Sequence, residues 1–477
     1  MLAVAMALGV SACASAPPVS QLPEPPVLTS WPVGDAYLAQ SEAALPIVAY
    51  TDVFRDPRLQ QLIGSALANN RDLRVAYANV AAARAQVRVV RSQQFPEIGI
   101  GADLTGTRGG GSNSEDGGGG VQLRPSLQGG VGSFELDLFG RLANATAAQR
   151  ARAFATEATS RTVRVALIAD LADAWATYAA DRDLLAIAEA TAANARESVR
   201  LTRLRLEGGI SPRTDLSQAQ QVLASAEQAI AEQTAAVARD ANLIRLLVGG
   251  DVDPALLPTS LAEVAPSFAA LPAGLDSRVL LRRPDVIEAE YLLRAADADI
   301  AVARAQLFPT LSLTGLLGLA SNTLGSLFTG GAFNFTAGAG ASYSIFDGGG
   351  RRANVAVSEA QRAAAVAEYE RAIQIAFRET ADALADQGTL VARQRAAGEN
   401  AAAAATTARL TEARYRNGID SFLESLIAQR ELFSARQQLV TLQLAGVLNR
   451  TTLFRVLGGD QPVTAASGEG STRQLAD

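Results

Sequence analysis

A run of 67 residues, Arg141 to Glu207, contains neither glycine nor proline. Those two residues interrupt helices most strongly, so nothing in the run opposes one continuous helix. At about 1.5 Å per residue it would reach roughly 100 Å, against a mean globular helix of about 11–12 residues. Ile168, Leu171, Trp175 and Tyr178 recur at spacings of three and four, with Asp170, Asp173 and Asp181 between them. That is one apolar stripe on a helix. After the Gly208-Gly209 turn, Leu216, Leu223, Ile230, Val237 and Ile244 repeat every seventh residue, a heptad seam. The chain is 48% hydrophobic but only 5% aromatic. Its apolar content is largely alanine, which suits long helices with closely approaching backbones better than a bulky core.

The plan occurs twice. Gly209-Ile210-Ser211 returns as Gly418-Ile419-Asp420, and Leu247-Val248-Gly249-Gly250-Asp251 as Val456-Leu457-Gly458-Gly459-Asp460, both 209 residues on. Gly140-Arg141-Leu142-Ala143-Asn144 matches Gly350-Arg351-Arg352-Ala353-Asn354 at offset 210, and Phe95-Pro96 matches Phe308-Pro309 at offset 213. Matches in one order at nearly constant offset indicate a tandem duplication, too short a series for a solenoid. Each half reads helix, strand, loop, strand, very long helix, turn, helix. The second long pair is expected from Arg351 to Asn417 and from Ser421 to Leu457.

The strands precede the long helices. Phe333, Phe335, Ala337, Ala339, Ala341, Tyr343 and Ile345 alternate with Asn334, Thr336, Gly338, Gly340, Ser342 and Ser344. One face is apolar with aromatics toward its ends; the other is small and polar. This pattern fits a membrane strand with lipid on one side and water on the other. Leu311 and Leu313, Ile98, Ile100 and Leu104, and Phe134, Leu136 and Leu138 alternate in the same way. The loop from Gly106 to Gln122 is glycine-rich but lacks the Lys-Ser/Thr of a phosphate-binding loop, and is expected to face solvent.

The chain has no histidine and one cysteine. That excludes Ser-His-Asp and Cys-His chemistry, an internal disulfide and His- or Cys-based metal centres. A net charge of −6 argues against nucleic acid as a partner. The single cysteine, Cys13, follows an apolar run, Met1 to Val10, in the tetrad Val10-Ser11-Ala12-Cys13. The tetrad resembles a bacterial lipobox, so Cys13 is the expected lipidation site. The run lacks the usual preceding Lys or Arg, which suggests a translation start upstream of Met1. The proline-rich stretch that follows is expected to be an extended tether, which Trp31 could pin to the body. No segment of the mature chain has the roughly 18 consecutive apolar residues of a membrane helix.

Four strands cannot close a membrane barrel, because in lipid every backbone N–H and C=O needs a partner and barrels begin at about eight strands. Several copies must therefore each contribute four. The layout resembles the outer membrane efflux protein family of TolC-like exit ducts. The lipobox, Leu280-Leu281-Arg282-Arg283-Pro284-Asp285-Val286, Phe308-Pro309, Phe346-Asp347-Gly348-Gly349-Gly350-Arg351 and Leu457-Gly458-Gly459 resemble its lipoprotein branch, the NodT-type factors of resistance-nodulation-division (RND) pumps. The fold class implied is mainly α with a transmembrane β-barrel portion: a homotrimer with a 12-stranded barrel on a 12-helix tunnel. The expected organisation is a signal peptide over 1–12 and a lipidated tether over 13–46. The first repeat, 47–265, holds a hairpin at 96–139 and long helices over 141–248. The second, 266–460, holds a hairpin at 309–347 and long helices over 351–457, before a flexible tail at 461–477.

The resemblance implies a passive exit duct in the Gram-negative outer membrane, working with an inner-membrane RND-type transporter and a periplasmic adaptor (membrane fusion protein). No cofactor or metal is expected beyond the lipid on Cys13. It also places a periplasmic gate at the two helix-pair tips. Asp215 and Tyr415 match positions that tie neighbouring helices, Leu423 a constricting apolar position, and Arg430 a basic residue near the aperture. Glu424 matches a pore-facing carboxylate. Ile427 stands where many relatives carry Asp, which removes one acidic ring. From the residues alone, Glu424 and Arg430 read as solvated helix-face charges, and only the resemblance sets the pore-facing reading beside that one. A lipid-anchored coiled-coil adaptor and a two-carboxylate enzyme are the competing readings; the four alternating strands oppose the first, and no acid pair is clustered for the second.

Overall fold

The computed structural model describes residues 49–107, 121–270 and 277–459. The lipobox, Cys13, the tether with Trp31, most of the glycine-rich loop and the C-terminal tail lie outside them. In chain order the principal helices are α1 (Pro57–Asn69), α2 (Arg71–Ser92), α3 (Arg141–Glu207), α4 (Arg213–Val248), α5 (Pro284–Ala305), α6 (Gly350–Arg416) and α7 (Phe422–Val456). Strands β1 (Ile98–Thr107) and β2 (Gln122–Leu136) precede α3; β3 (Thr310–Ala320) and β4 (Phe333–Ser342) precede α6. Both α3 and α6 contain 67 residues. They begin 209 residues apart, at Arg141 and Gly350. The second long helix thus starts at Gly350, one residue before the expected Arg351, and ends at Arg416, one before the expected Asn417.

The chain divides into two compact units. One takes Asn79–Glu157 and Glu288–Glu370; the other takes Ala158–Ile287, the described residues up to Ala78 and those from Arg371 onward. The first unit holds a single antiparallel sheet in the order β1-β2-β3-β4, so β2–β3 pairing joins the halves of the duplication. Ile98 pairs with Val131, Leu127 with Leu319, and Leu317 with Phe335. The apolar rows of all four strands therefore share one face, as the alternation predicts.

Two boundaries differ from expectation. The alternation of β4 continues to Ile345, but its ladder ends at Ser342, because Ser342 pairs with Thr310, the first residue of β3. Strand β2 starts at Gln122 and continues through Gly129 and Gly130 to a bulge between Val131 and Phe134. Gly130 has φ +142°, and a Cβ there would run into the Gly315 carbonyl oxygen. The strand crosses close to its neighbour where no side chain fits, so sequence alternation is lost. Thr314 Oγ1 donates to the Gly132 carbonyl at the bulge, at 2.9 Å.

The core of the second unit is built on the stripe read from α3. Ile168, Leu171 and Trp175 are fully buried, and Tyr178 packs against the same cluster. Ala169, Ala172, Ala176 and Ala179 are fully buried too, so the contact uses small side chains. Phe54 lies edge-on to Phe268 and to Phe454, with 5.2 Å between centroids in each pair. The Arg282-Arg283-Pro284-Asp285 motif acts here as a clamp. Arg283, 7% exposed, donates to Asp285 at 2.7 Å, to Glu379 at 2.8 Å and to the Val456 carbonyl at 3.1 Å. It fixes the start of α5 to α6 and to the end of α7.

Candidate functional site

The α3–α4 and α6–α7 turns share one backbone design. Gly209 (φ +71°) and Gly418 (φ +76°) take the left-handed conformation that ends a helix. Ile210 N donates to the Arg205 carbonyl at 2.8 Å, and Ile419 N to the Arg414 carbonyl at 2.9 Å. The first turn of α7 is capped by Ser421 Oγ, which accepts from Glu424 N. With Glu three residues beyond Ser, the sequence has the form of a capping box.

The side chains of the two tips have diverged. Arg414 grips Asp420 with two hydrogen bonds, at 2.6 and 2.7 Å, across the Gly418 turn. The hydrogen bond from Arg414 holds the Asp420 carboxyl below its usual range. The duplicate of Arg414 is Arg205, whose guanidinium stands over the Tyr415 ring, 4.5 Å from its centroid. Arg205 also donates to the Arg416 carbonyl at 3.5 Å, so it ties the first tip to the second. Tyr415 packs against Phe422, centroids 5.3 Å apart, beside a cluster of Val199, Ala219, Phe422 and Leu426.

Of the residues expected at this site, the structure joins some and separates others. Asp215 accepts a 2.6 Å hydrogen bond from Ser211 and none from Tyr415. The Tyr415 hydroxyl is buried without a hydrogen-bond partner among the described residues. Leu423, Glu424, Ile427 and Arg430 are exposed in the protomer. Leu423, Ile427 and Arg430 follow at intervals of four and three, so they share one face of α7. Arg205, Ser211 and the Arg414–Asp420 clamp were not singled out by the sequence reading. The 209-residue offset pairs Arg205 with Arg414 and Ser211 with Asp420, and could have found them.

Farther along the α3–α4 pair, two carboxyls face each other. Burial, and then the charge and hydrogen bond of Asp181, push Asp240 up to about 7. Burial likewise raises Asp181, while Arg239 opposes the shift in both. Burial also raises Asp173 to about 6, against the pull of Arg455. No group of His, Cys, Asp and Glu able to hold a metal ion occurs among the described residues.

The sheet completes the picture. β1 and β4 are its edges, and almost every residue on both is exposed. Phe333, Phe335, Tyr343 and Phe346 stand out from it. A sheet with one apolar face, one small polar face and two open edges, carried on paired helices of this length, defines a membrane channel protomer. The chain belongs to the outer membrane efflux protein family, whose model matches residues 62–250 and 275–459. It is 38% identical to the probable efflux pump outer membrane protein TtgC of Pseudomonas putida over 93% of this chain and 92% of that protein. It is 35% identical to the outer membrane protein OprJ of Pseudomonas aeruginosa over 96% and 95% of the two chains. Among solved structures, the open state of the MtrE outer membrane channel of Neisseria gonorrhoeae superposes with TM-score 0.81. It is 30% identical and covers 92% of this chain and 97% of that one. The chain is an outer membrane efflux channel protein with a TolC-like fold, not an enzyme.

Proposed function

We propose that the protein is the passive exit duct of a tripartite efflux system, a homotrimer gated at its periplasmic helix tips. The observation that carries the reading is the four-stranded sheet with both edges open. Three such sheets make a barrel of about 12 strands, within the range of membrane barrels. Their long helices continue it as a periplasmic tunnel that receives cargo from a periplasmic adaptor and an inner-membrane RND-type transporter. Native mass spectrometry of detergent-extracted protein tests the assembly. Three copies are expected, in a complex that dissociates on heating; a folded single copy overturns the reading.

At the gate, Leu423 and Glu424 would form threefold rings, one narrowing the opening and one attracting cations. Arg430 would lie near them, and Asp215 and Tyr415 would tie adjoining helices when the tips are closed. The Tyr415 hydroxyl lacks a partner among the described residues. Tyr415→Phe therefore removes no hydrogen bond among them, and a rise in single-channel conductance would report a contact between chains. Unchanged conductance in Tyr415→Phe with Asp215→Ala removes both residues from the gate. Cys13 is proposed as the acylated residue, and Cys13→Ser is expected to abolish fatty-acid labelling. Undiminished labelling refutes it.

A further inference from the structure

At the end of the sheet away from the helices, the β3–β4 connection and the ends of β1 and β2 line an open cavity of about 560 Å³. Its strand residues include Thr105, Arg124 and Ser126, and its connection residues include Ser321, Asn322 and Thr329. Thr105 pairs with Arg124, and Ser126 with Ala320, in the register that places all four on the small polar face of the sheet. In an outer membrane channel whose helices are periplasmic, this is the extracellular end, on the water side.

The cavity is built to donate hydrogen bonds. Among the described residues, Arg124 is the one charged residue that lines it, and no described carboxylate does. The Ser321 and Thr329 hydroxyls already donate to the Thr323 and Ser326 carbonyls inside the connection. Arg124, Thr105, Ser126 and Asn322 line the same cavity, and no hydrogen bond or ion pair joins their side chains to a described residue. A planar guanidinium beside uncommitted hydroxyls matches the oxygen fork of a phosphate. The volume is in the range of small-molecule sites, about 300–1,000 Å³, so a phosphate group alone would leave much of it to water. The remaining lining consists of hydroxyls, one amide and small residues, with no aromatic ring. That suits a hydroxylated body better than an apolar one.

We propose that this cavity is a binding site for a phosphorylated sugar at the outer mouth of the channel. The site rests on the outer membrane placement of the sheet, and it lies within one protomer, so it does not depend on the trimer or the gate. The cavity opens on the water side of the sheet, so the ligand proposed is a soluble sugar phosphate and not a lipid of the outer leaflet.

The test is equilibrium dialysis of the detergent-solubilised full chain with labelled glucosamine 1-phosphate. Glucosamine and inorganic phosphate are the comparison probes. Saturable binding is expected, with Arg124→Gln weakening it at least about tenfold, the scale of a lost charge-assisted pair. Asn322→Ala is expected to weaken glucosamine 1-phosphate while leaving inorganic phosphate unchanged. Far-UV circular dichroism and the thermal midpoint of Arg124→Gln, expected at the parent values, show that this variant still folds. Binding that is absent, or indifferent to Arg124, overturns the proposal.

Discussion

Identical backbone conformations at glycine do not make identical glycines. Gly418 and Gly249 both have φ near +76°, yet a Cβ on Gly418 meets nothing within 4 Å, while one on Gly249 comes within 2.6 Å of the Asn69 carbonyl oxygen. Gly418→Ala is expected to cost only the left-handed strain of about 1–2 kcal/mol. Gly249→Ala adds a backbone collision and should lower the thermal midpoint clearly further, as calorimetry of the two variants would show. Arg283 sets a larger scale. Arg283→Ala removes a buried side chain and its bond to the Val456 carbonyl, while Asp285 and Glu379, each more than a third exposed, turn to solvent, and the loss expected is about 1–3 kcal/mol. Denaturant unfolding measures it, and a loss below about 1 kcal/mol would show that the clamp is dispensable. At the tips, Arg205→Ala removes a guanidinium that spans from the first turn to the second. It is expected to raise single-channel conductance while lowering stability by no more than about 1 kcal/mol, the scale of a partly exposed cation–π contact.

Among the elements, the helices were the most legible, because helix propensity, a stripe at spacings of three and four, and an αL glycine at the end all act locally. Arg141–Glu207 needed no tertiary information. The polar face of β3 and β4 was also readable, since cross-strand pairing preserves a period of two. Most of β2 was not. Its Gly129-Gly130 stretch carries no side-chain alternation, and its path is set by contact with Gly315, a residue of the other repeat. The tips were half legible: the turn glycines announce themselves, whereas the choice of Arg205 to stack on Tyr415 depends on a partner more than 200 residues away. The α3–α4 seam carries a prediction of its own. Asp240 sits up to about 7 when folded and near 3.8 when free. A raised carboxyl pKa means the folded chain holds the proton longer. Its contribution is therefore present below pH 3.8 and declines as pH rises to about 7. Asp240→Asn should raise the thermal midpoint at pH 8 and confer little at pH 4. Equal gains at both pH values would show that Asp240 is not the titrating group.

For the molecule as a whole, the proposed trimer would make stability a property of the assembly. If the edges of β1 and β4 are covered only by other copies, the unfolding midpoint depends on protein concentration. A tenfold dilution in detergent should lower it measurably, and a midpoint blind to dilution would mean that each chain closes its own edges. The same two strands bear on biogenesis. Until they are covered, each newly made chain exposes two rows of unpaired amides and carbonyls to any strand it meets. Escort and membrane delivery thus become part of the folding problem, and the hazardous species is the well-formed single chain rather than the unfolded one.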